Sequence, residues 1–184
     1  LIKALNGGGI LVNWGCYDLD YLLGITGWTL KPETVFAQTW TVPSSFESHV
    51  APGSDAETYY LATVRCRGGI ILSMERGEFM TAQSESDWQV IGSKGSLKLK
   101  MTDSDPRSII HDSTTAEKGV ISKPLWNPTG NSIATDIEDP LVDFAAAIRE
   151  ERQPLTSLEQ SLILQEITDA IYKSAAQGVA VQIN

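Results

Sequence analysis

The stretch at residues 7–24 reads GGGILVNWGCYDLDYLLG, in which three glycines lead into a run long enough for a helix. At 3.6 residues per turn, Asn13, Tyr17 and Asp20 recur at intervals of four and three. The spacing therefore predicts one helix face with an amide, a phenol and a carboxylate, which suits the binding of hydroxyl or carbonyl groups. The apolar stripe predicted beside that face consists of Val12, Cys16, Leu19 and Leu23.

The glycines at residues 7–9 have two possible roles. They lack the G-x-G-x-x-G spacing and the preceding strand of a dinucleotide-binding loop. We therefore expect them to provide a positive φ angle or a close approach of two backbones. The polar face also has an alternative interpretation, because a Tyr or Asp on a helix is more often a packing or surface residue than a functional one.

The glycine-led stretch resembles the opening of the C-terminal domain in the glucose-fructose oxidoreductase, inositol dehydrogenase and MocA family. The family pattern there is GGG-x-L-x-D-x-G-x-H-x-x-D, and this chain reads GGGILVNWGCYDLD. The three glycines match, as do Leu11, Gly15 and Asp20. Asn13 stands where the family usually has Asp, and Tyr17 where it usually has His, so both departures fall on positions with a chemical role.

The resemblance implies an NAD(P)-dependent oxidoreductase that acts on a sugar, a polyol or a related carbinol or carbonyl. Residues 1–184 would form its single C-terminal domain for substrate binding and oligomerisation. NAD or NADP would be bound mainly by a preceding Rossmann domain, which also carries the catalytic Lys. Tyr17 is the catalytic candidate, because a phenol with an ordinary pKa of about 10 can donate a proton to a developing alkoxide. The candidate substrate-binding residues are Asn13, Trp14, Asp20 and Trp126.

Asn13 leaves a second hypothesis open. An amide can orient a hydroxyl by hydrogen bonds, but it cannot supply the negative charge of the usual Asp. The alternative is a non-catalytic relative of the same fold that binds nucleotide and sugar as a sensor or regulator. Under either hypothesis we expect the 184-residue chain by itself to have no catalytic activity.

Composition narrows the class of protein further. With 184 residues and 42% hydrophobic content, the chain can bury one core, so its length and composition predict a single domain. The net charge of -9 and the scattered basic residues argue against nucleic acid as a partner. Cys16 and Cys66 form no CxxC motif and His49 and His111 stand alone, so no disulfide framework or metal site is expected. Reduced thiols, and no apolar run of about 18 residues, favour a cytoplasmic protein without a membrane span.

The middle of the chain predicts an α+β fold with a largely antiparallel, open sheet. Gly68 and Gly69 suit a tight hairpin turn, and residues 93–95 suit a second one. Apolar side chains occur in both phases of the alternation, as at Leu61 and Ala62, so both sheet faces need a cover. We expect helices on one face and, as the resemblance implies, a second copy of the subunit on the other. The predicted strands span residues 34–42, 57–66, 70–78, 88–92 and 96–101.

Residues 102–136 contain three prolines and give no clear prediction of helix or strand. Irregular segments of this length often line functional sites. Trp126 is therefore a candidate ligand contact, although a Trp flanked by prolines more often fills a packing gap.

Two helices are predicted to close the chain, in a segment that resembles the family's closing D-F-x-x-A-I pattern. Asp139 and Pro140 indicate the start of the first helix. Thr156 and Glu159 form the pattern of a capping box for the second helix, and Gly178 marks its end. The side chains expected to face the core are Leu141, Phe144, Ala145, Ile148, Leu164, Ile167, Ile171 and Ala175.

Overall fold

The computed structural model describes residues 1–83, 88–99, 108–127 and 139–183. The fold is α+β, with two open antiparallel sheets of four strands each. The chain divides into a first unit, Leu1–Ala82 with Ala147–Asn184, and a second unit, Gln83–Ala146.

The helices are α1 (Lys3–Asn6), α2 (Cys16–Ile25), α3 (Asp139–Arg149) and α4 (Leu158–Gln177), with a π-helical turn at Leu11–Gly15 and a 3₁₀ turn at Ser44–His49. The strands are β1 (Pro32–Trp40), β2 (Tyr59–Cys66), β3 (Ile71–Gly77), β4 (Trp88–Gly92), β5 (Gly95–Leu99), β6 (Ile109–Thr115), β7 (Gly119–Trp126) and β8 (Val181–Gln182). The five predicted strands are therefore confirmed, with shifts of at most two residues at their described ends.

The first sheet has the strand order β3-β2-β1-β8 and belongs to the first unit. Its β2–β3 hairpin turns at Gly68 and Gly69, whose φ angles of 82° and 84° confirm the predicted glycine turn. Along β2, Tyr60 and alternate residues after it are fully buried. They pack with side chains of α2 and α4 into one core, which includes Leu19 and Ile171.

The opposite face of this sheet carries exposed apolar side chains. We call it the outer face and define it by Phe36, Trp40, Leu61 and Ile71, which are 52%, 45%, 38% and 51% exposed. The prediction that both faces carry apolar side chains is confirmed. Helices supply the cover on the inner face alone among the described residues of the first unit.

The second sheet has the order β4-β5-β6-β7 and confirms the predicted hairpin at residues 93–95. Between residues 102 and 136, where sequence patterns gave no clear prediction, the structure places β6 and β7. Pro124 lies inside β7, and the register of the pair shifts between Ile109 and Ile110, as expected when a bulge accommodates a proline. That proline masked the strand signal.

The apolar stripe predicted for the core side of α3 was wrong. Leu141, Phe144, Ala145 and Ile148 are exposed, whereas Ala147 is buried. An amphipathic pattern indicates which helix face avoids water, but it does not identify what covers that face. The side chain of Asp139, the predicted cap, lies outside the described residues.

Helix α4 confirms most of its prediction. Ile167 and Ile171 are fully buried, and the helix ends at Gly178 with a φ angle of 67°. The capping box lies one residue later than predicted: Ser157 Oγ accepts from the Gln160 backbone N–H at 3.2 Å, and the Gln160 side chain accepts from the Ser157 N–H at 2.8 Å. Although α4 has 20 residues, neither it nor another described helix has the apolar content that a membrane crossing requires.

Candidate functional site

The glycines at residues 7–9 determine where the helical segment with the candidate site residues begins. This segment, the π-helical turn Leu11–Gly15 followed by α2, is called the site helix. Gly7 has a φ angle of 78°, and a side chain on Gly8 or Gly9 would overlap Tyr172 or the backbone of Glu57. Both predicted roles of the glycines, positive φ and close approach, are therefore confirmed. Because protein atoms fill the space beside Gly8 and Gly9, these residues do not form a cradle for a dinucleotide phosphate.

Glu57 ties the start of this helix to the first sheet. Its Oε1 accepts hydrogen bonds from the backbone N–H groups of Gly9 and Leu11, at 2.8 and 3.2 Å, and from the Tyr172 hydroxyl at 2.7 Å. A carboxylate there satisfies backbone donors that a helix start leaves unpaired and is favoured by the helix dipole. Burial, together with the hydrogen bond to Glu57, raises the pKa of Tyr172.

The site helix opens with the π-helical turn Leu11–Gly15. Such turns are rare and occur frequently at functional sites. The turn buries Leu11 and Gly15 and exposes Asn13 and Trp14. A side chain on Gly15 would meet Tyr60 Oη at 2.9 Å, so glycine allows the helix to lie against the sheet.

The π-helical turn also corrects the predicted apolar stripe. Val12 and Cys16 are only half-buried, whereas Leu11, Leu19 and Leu23 are buried in the core. A π turn contains more residues than an α turn, which moves the stripe to Leu11 at its first position.

Two of the predicted site residues lie together. The ring centroids of Trp14 and Tyr17 are 5.9 Å apart with 59° between their planes. Tyr17 is 59% exposed and Trp14 37% exposed, so both rings reach solvent. Asn13 is exposed and Asp20 half-buried, and burial raises the pKa of Asp20. The chemical roles of all four stay predictions.

Trp126, the fifth predicted site residue, lies at the end of β7 in the second unit. Its side chain is half exposed rather than enclosed, so it does not fill a packing gap within the described residues. Its substrate-binding role stays a prediction.

The sequence interpretation missed an ion pair next to Trp14, in which Asp18 is buried and Arg76 is partly exposed. Asp18, which is 5% exposed, accepts from Arg76 Nε at 2.7 Å and from Arg76 Nη2 at 2.6 Å. The hydroxyl of Tyr60, which is fully buried, donates to Asp18 Oδ2 at 3.4 Å. The hydrogen bond to Asp18 raises the pKa of Arg76, and burial raises that of Tyr60.

A signal for this ion pair existed in the sequence. Leu72, Met74 and Arg76 alternate along β3, which places the arginine in phase with two buried residues. An arginine in that phase needs a buried acidic partner. Asp18 could not be identified as that partner, because the two residues are 58 positions apart.

The arrangement suits the recognition of a polyhydroxylated molecule. Two adjacent aromatic rings offer apolar surface, and Asn13 and Asp20 offer an amide and a carboxyl group nearby in the helix. Tyr17 adds a hydroxyl that can donate a proton.

Comparison with known proteins agrees with the fold. Residues 3–183 match the family model described as "Oxidoreductase family, C-terminal alpha/beta domain" (GFO_IDH_MocA_C). No curated protein matches the sequence significantly.

Solved structures share the fold at low sequence identity. An oxidoreductase domain protein from Kribbella flavida matches with a TM-score of 0.77 at 20% identity, over 99% of this chain and 53% of that one. A levoglucosan dehydrogenase in complex with NADH and levoglucosan matches at 0.73 and 19%, over 99% and 52%. An aldose-aldose oxidoreductase from Caulobacter crescentus, complexed with glycerol, matches at 0.70 and 20%, over 98% and 49%. The chain spans about half the length of these proteins.

Proposed function

Since the chain belongs to the oxidoreductase family whose C-terminal α/β domain it matches, we propose that it is the substrate-binding part of an NAD(P)-dependent enzyme. The parent enzyme acts on the CH–OH or carbonyl group of a sugar or polyol. The observation that carries the proposal is the exposed Trp14–Tyr17 pair, 5.9 Å between ring centroids, on the helix that the family's motif identifies. The related proteins complexed with levoglucosan and glycerol support this substrate class.

Tyr17 acts on the substrate oxygen. In the direction of carbonyl reduction its phenol donates a proton to the developing alkoxide, and in the opposite direction the phenolate accepts that proton. Trp14 packs against the C–H surface of the substrate, and Asn13 orients a hydroxyl through its amide. Asp20 accepts a hydrogen bond from a second hydroxyl when its carboxyl group is ionised.

The nicotinamide cofactor, NAD or NADP, belongs in this proposal to the N-terminal domain of the parent protein. Gly8 and Gly9 are packed against Tyr172 and Glu57, so they do not bind its phosphates. The coverage of about half of each related structure supports a parent with a further domain. By this assignment the chain contributes substrate binding and proton transfer.

The outer face of the first sheet is the proposed subunit interface. Phe36, Leu61 and Ile71 expose apolar surface there. Single exposed apolar residues are common on protein surfaces, whereas a patch of them indicates an interaction site. In the register of β1 with β2, Phe36 and Trp40 are both diagonal neighbours of Leu61, which makes a patch on two adjacent strands that a second copy of the chain would cover. The protein is therefore proposed to be a homo-oligomer through this face.

We also place the parent protein in the cytoplasm. Cys16 and Cys66 are free thiols, one half-buried and one buried. Persistent thiols are typical of reducing compartments. Titration of the purified protein with a thiol reagent under denaturing conditions should therefore find both cysteines of this chain reduced.

Asn13 supports one alternative, a sensor or regulator that binds nucleotide and sugar without turnover. Its exposed amide lacks the negative charge of the usual family aspartate. Binding of levoglucosan by the parent protein without any change in NADH or NADPH absorbance would favour this alternative.

The test of the main proposal is Tyr17→Phe in the intact parent protein, assayed with NAD and NADP against a panel of sugars and polyols. The change deletes one hydroxyl, so we expect kcat to fall by about 10²- to 10⁴-fold with a smaller effect on KM. Tyr59→Phe is the matched control, because it deletes a hydroxyl that bonds to Glu75. A native kcat in Tyr17→Phe would remove the proton-transfer role. Asn13→Asp should retain or raise activity.

A further inference from the structure

We propose that Arg76 is a positioning residue that holds the Trp14 indole, and through it Tyr17, in the geometry that substrate binding requires. The proposal rests on the sugar-binding function given above. The Arg76 side chain is only 25% exposed. Its guanidinium group contacts Asp18 and the Trp14 ring.

Asp18 anchors Arg76 at one end. The two hydrogen bonds, at 2.7 and 2.6 Å, run from different guanidinium nitrogens to different carboxylate oxygens. This bidentate geometry fixes the plane of the guanidinium group as well as its position. The buried Tyr60 hydroxyl, 3.4 Å from Asp18 Oδ2, fixes the carboxylate in turn.

The same guanidinium group also contacts the Trp14 ring. The central carbon of the guanidinium group lies 5.3 Å from the centroid of the Trp14 ring, within the range of a cation–π contact. The Trp14 ring then contacts the Tyr17 ring at 5.9 Å. A continuous series of contacts thus leads from a buried carboxylate to the exposed phenol.

The position of Trp14 explains why such support is needed. It lies in the π-helical turn Leu11–Gly15 and is 37% exposed, so the core alone does not fix its ring. Arg76 supplies a rigid surface from a neighbouring sheet strand, β3. An aromatic ring held in one orientation loses less conformational freedom when it binds a ligand.

A second arginine pair in the same sheet offers a matched control. Arg67 Nε lies 3.1 Å from Glu33 Oε1, but these side chains are 77% and 39% exposed. An exposed pair of this kind has little influence on its surroundings. Arg67→Lys therefore repeats the chemical change of Arg76→Lys without disturbing Asp18 or Trp14.

The test compares Arg76→Lys with Arg67→Lys in the intact parent protein labelled with 5-fluorotryptophan. Lysine keeps the charge and can pair with Asp18, but it lacks the planar group that contacts the indole. The Trp14 ¹⁹F resonance, identified by its loss in Trp14→Phe, should shift or broaden in Arg76→Lys and stay unchanged in Arg67→Lys. We also expect a loss of about 10- to 100-fold in kcat/KM for the sugar substrate in Arg76→Lys only.

An unchanged Trp14 resonance in folded Arg76→Lys protein would overturn the proposal. A shifted resonance with native kinetics would overturn the link to substrate binding. Failure of the wild-type protein to turn over any sugar would instead contradict the proposed function, and the resonance would still decide whether Arg76 holds Trp14.

A second variant covers the case in which Arg76→Lys does not fold. The double change Asp18→Asn with Arg76→Gln removes both charges together, so no unpaired charge is left buried. We expect the Trp14 resonance to shift in this variant also, because the guanidinium contact is gone. The same resonance as in the wild-type protein would overturn the proposal.

Discussion

The two faces of the first sheet both carry apolar side chains, but their surroundings are opposite. On the inner face, Tyr60, Val64 and Cys66 are fully buried beneath helices. On the outer face, Phe36 of β1 and Leu61 of β2 are 52% and 38% exposed. An apolar side chain in a strand therefore indicates that its face avoids water, but residues elsewhere in the chain or on a partner determine what covers that face.

The site lies on the covered side of this comparison. Arg76 alternates in phase with buried residues of β3, and Asp18 reaches it from α2. The ion pair of Arg76 with Asp18 thus lies at the edge of the buried inner face, where Arg76 contacts the exposed Trp14.

The largest expected effect comes from breaking the inner cover. Ile171→Ala removes a fully buried side chain from α4 and should lower the free energy of unfolding by about 2–5 kcal/mol. Phe36→Ala is the control on the outer face, where an exposed site should cost less than about 1 kcal/mol in the monomer. Urea denaturation of the purified chain, at a concentration low enough to keep it monomeric, measures both. Equal losses would mean that the two faces do not differ as described.

Sequence periodicity was sufficient for most of the first sheet and for α4. Glycine at residues 68 and 69 indicated a hairpin, and Ile167 and Ile171 were placed in the core by helical spacing. Sequence periodicity was insufficient for β7 and for α3. Pro124 concealed β7, and the stripe of α3 was apolar without being covered.

The candidate site was predictable only in part. Spacing and resemblance predict Asn13, Tyr17 and Asp20 as site residues because they belong to one continuous motif, and their roles stay predictions. The ion pair of Asp18 with Arg76 joins residues that are far apart in the chain, so it depends on the tertiary fold. The π-helical turn Leu11–Gly15 departs from the 3.6-residue period on which the sequence prediction relied, and it lies where Gly15 packs closely against Tyr60 of the sheet.

The second-largest effect is expected at the outer face of the first sheet. Leu61→Lys places a charge in the middle of the proposed interface and should raise the dissociation constant of the oligomer by about tenfold or more. Its effect on monomer stability should stay within about 0.5 kcal/mol. Sedimentation equilibrium provides the measurement.

Leu162→Lys makes the same substitution at an exposed position of α4, away from the outer face. It should leave association unchanged. A wild-type chain that stays monomeric from micromolar to high concentration would rule out the interface.

A smaller effect is expected at α3, whose apolar stripe is exposed like the outer face. Phe144→Ala should lower the free energy of unfolding by less than about 1 kcal/mol, because the Phe144 side chain is 57% exposed. Ala147→Leu adds volume at a buried position of the same helix and should cost about 1–3 kcal/mol. Urea denaturation that reverses this order would show that the helix faces are assigned wrongly.

The smallest effect concerns Asp20, which lies between the covered and exposed sides of α2. Burial raises its pKa, so the folded protein binds this proton more tightly than the unfolded chain does. The ionised carboxylate therefore lowers stability, and this cost develops as pH rises from the unfolded pKa of about 3.9 to above the folded pKa. Asp20→Asn should raise the Tm at pH 7 and leave it nearly unchanged at pH 3. Asp169→Asn is a control on exposed α4 surface. Thermal unfolding followed by circular dichroism at both pH values provides the measurement. A lower Tm of Asp20→Asn at pH 7 would contradict the conclusion that burial of the ionised carboxylate lowers stability.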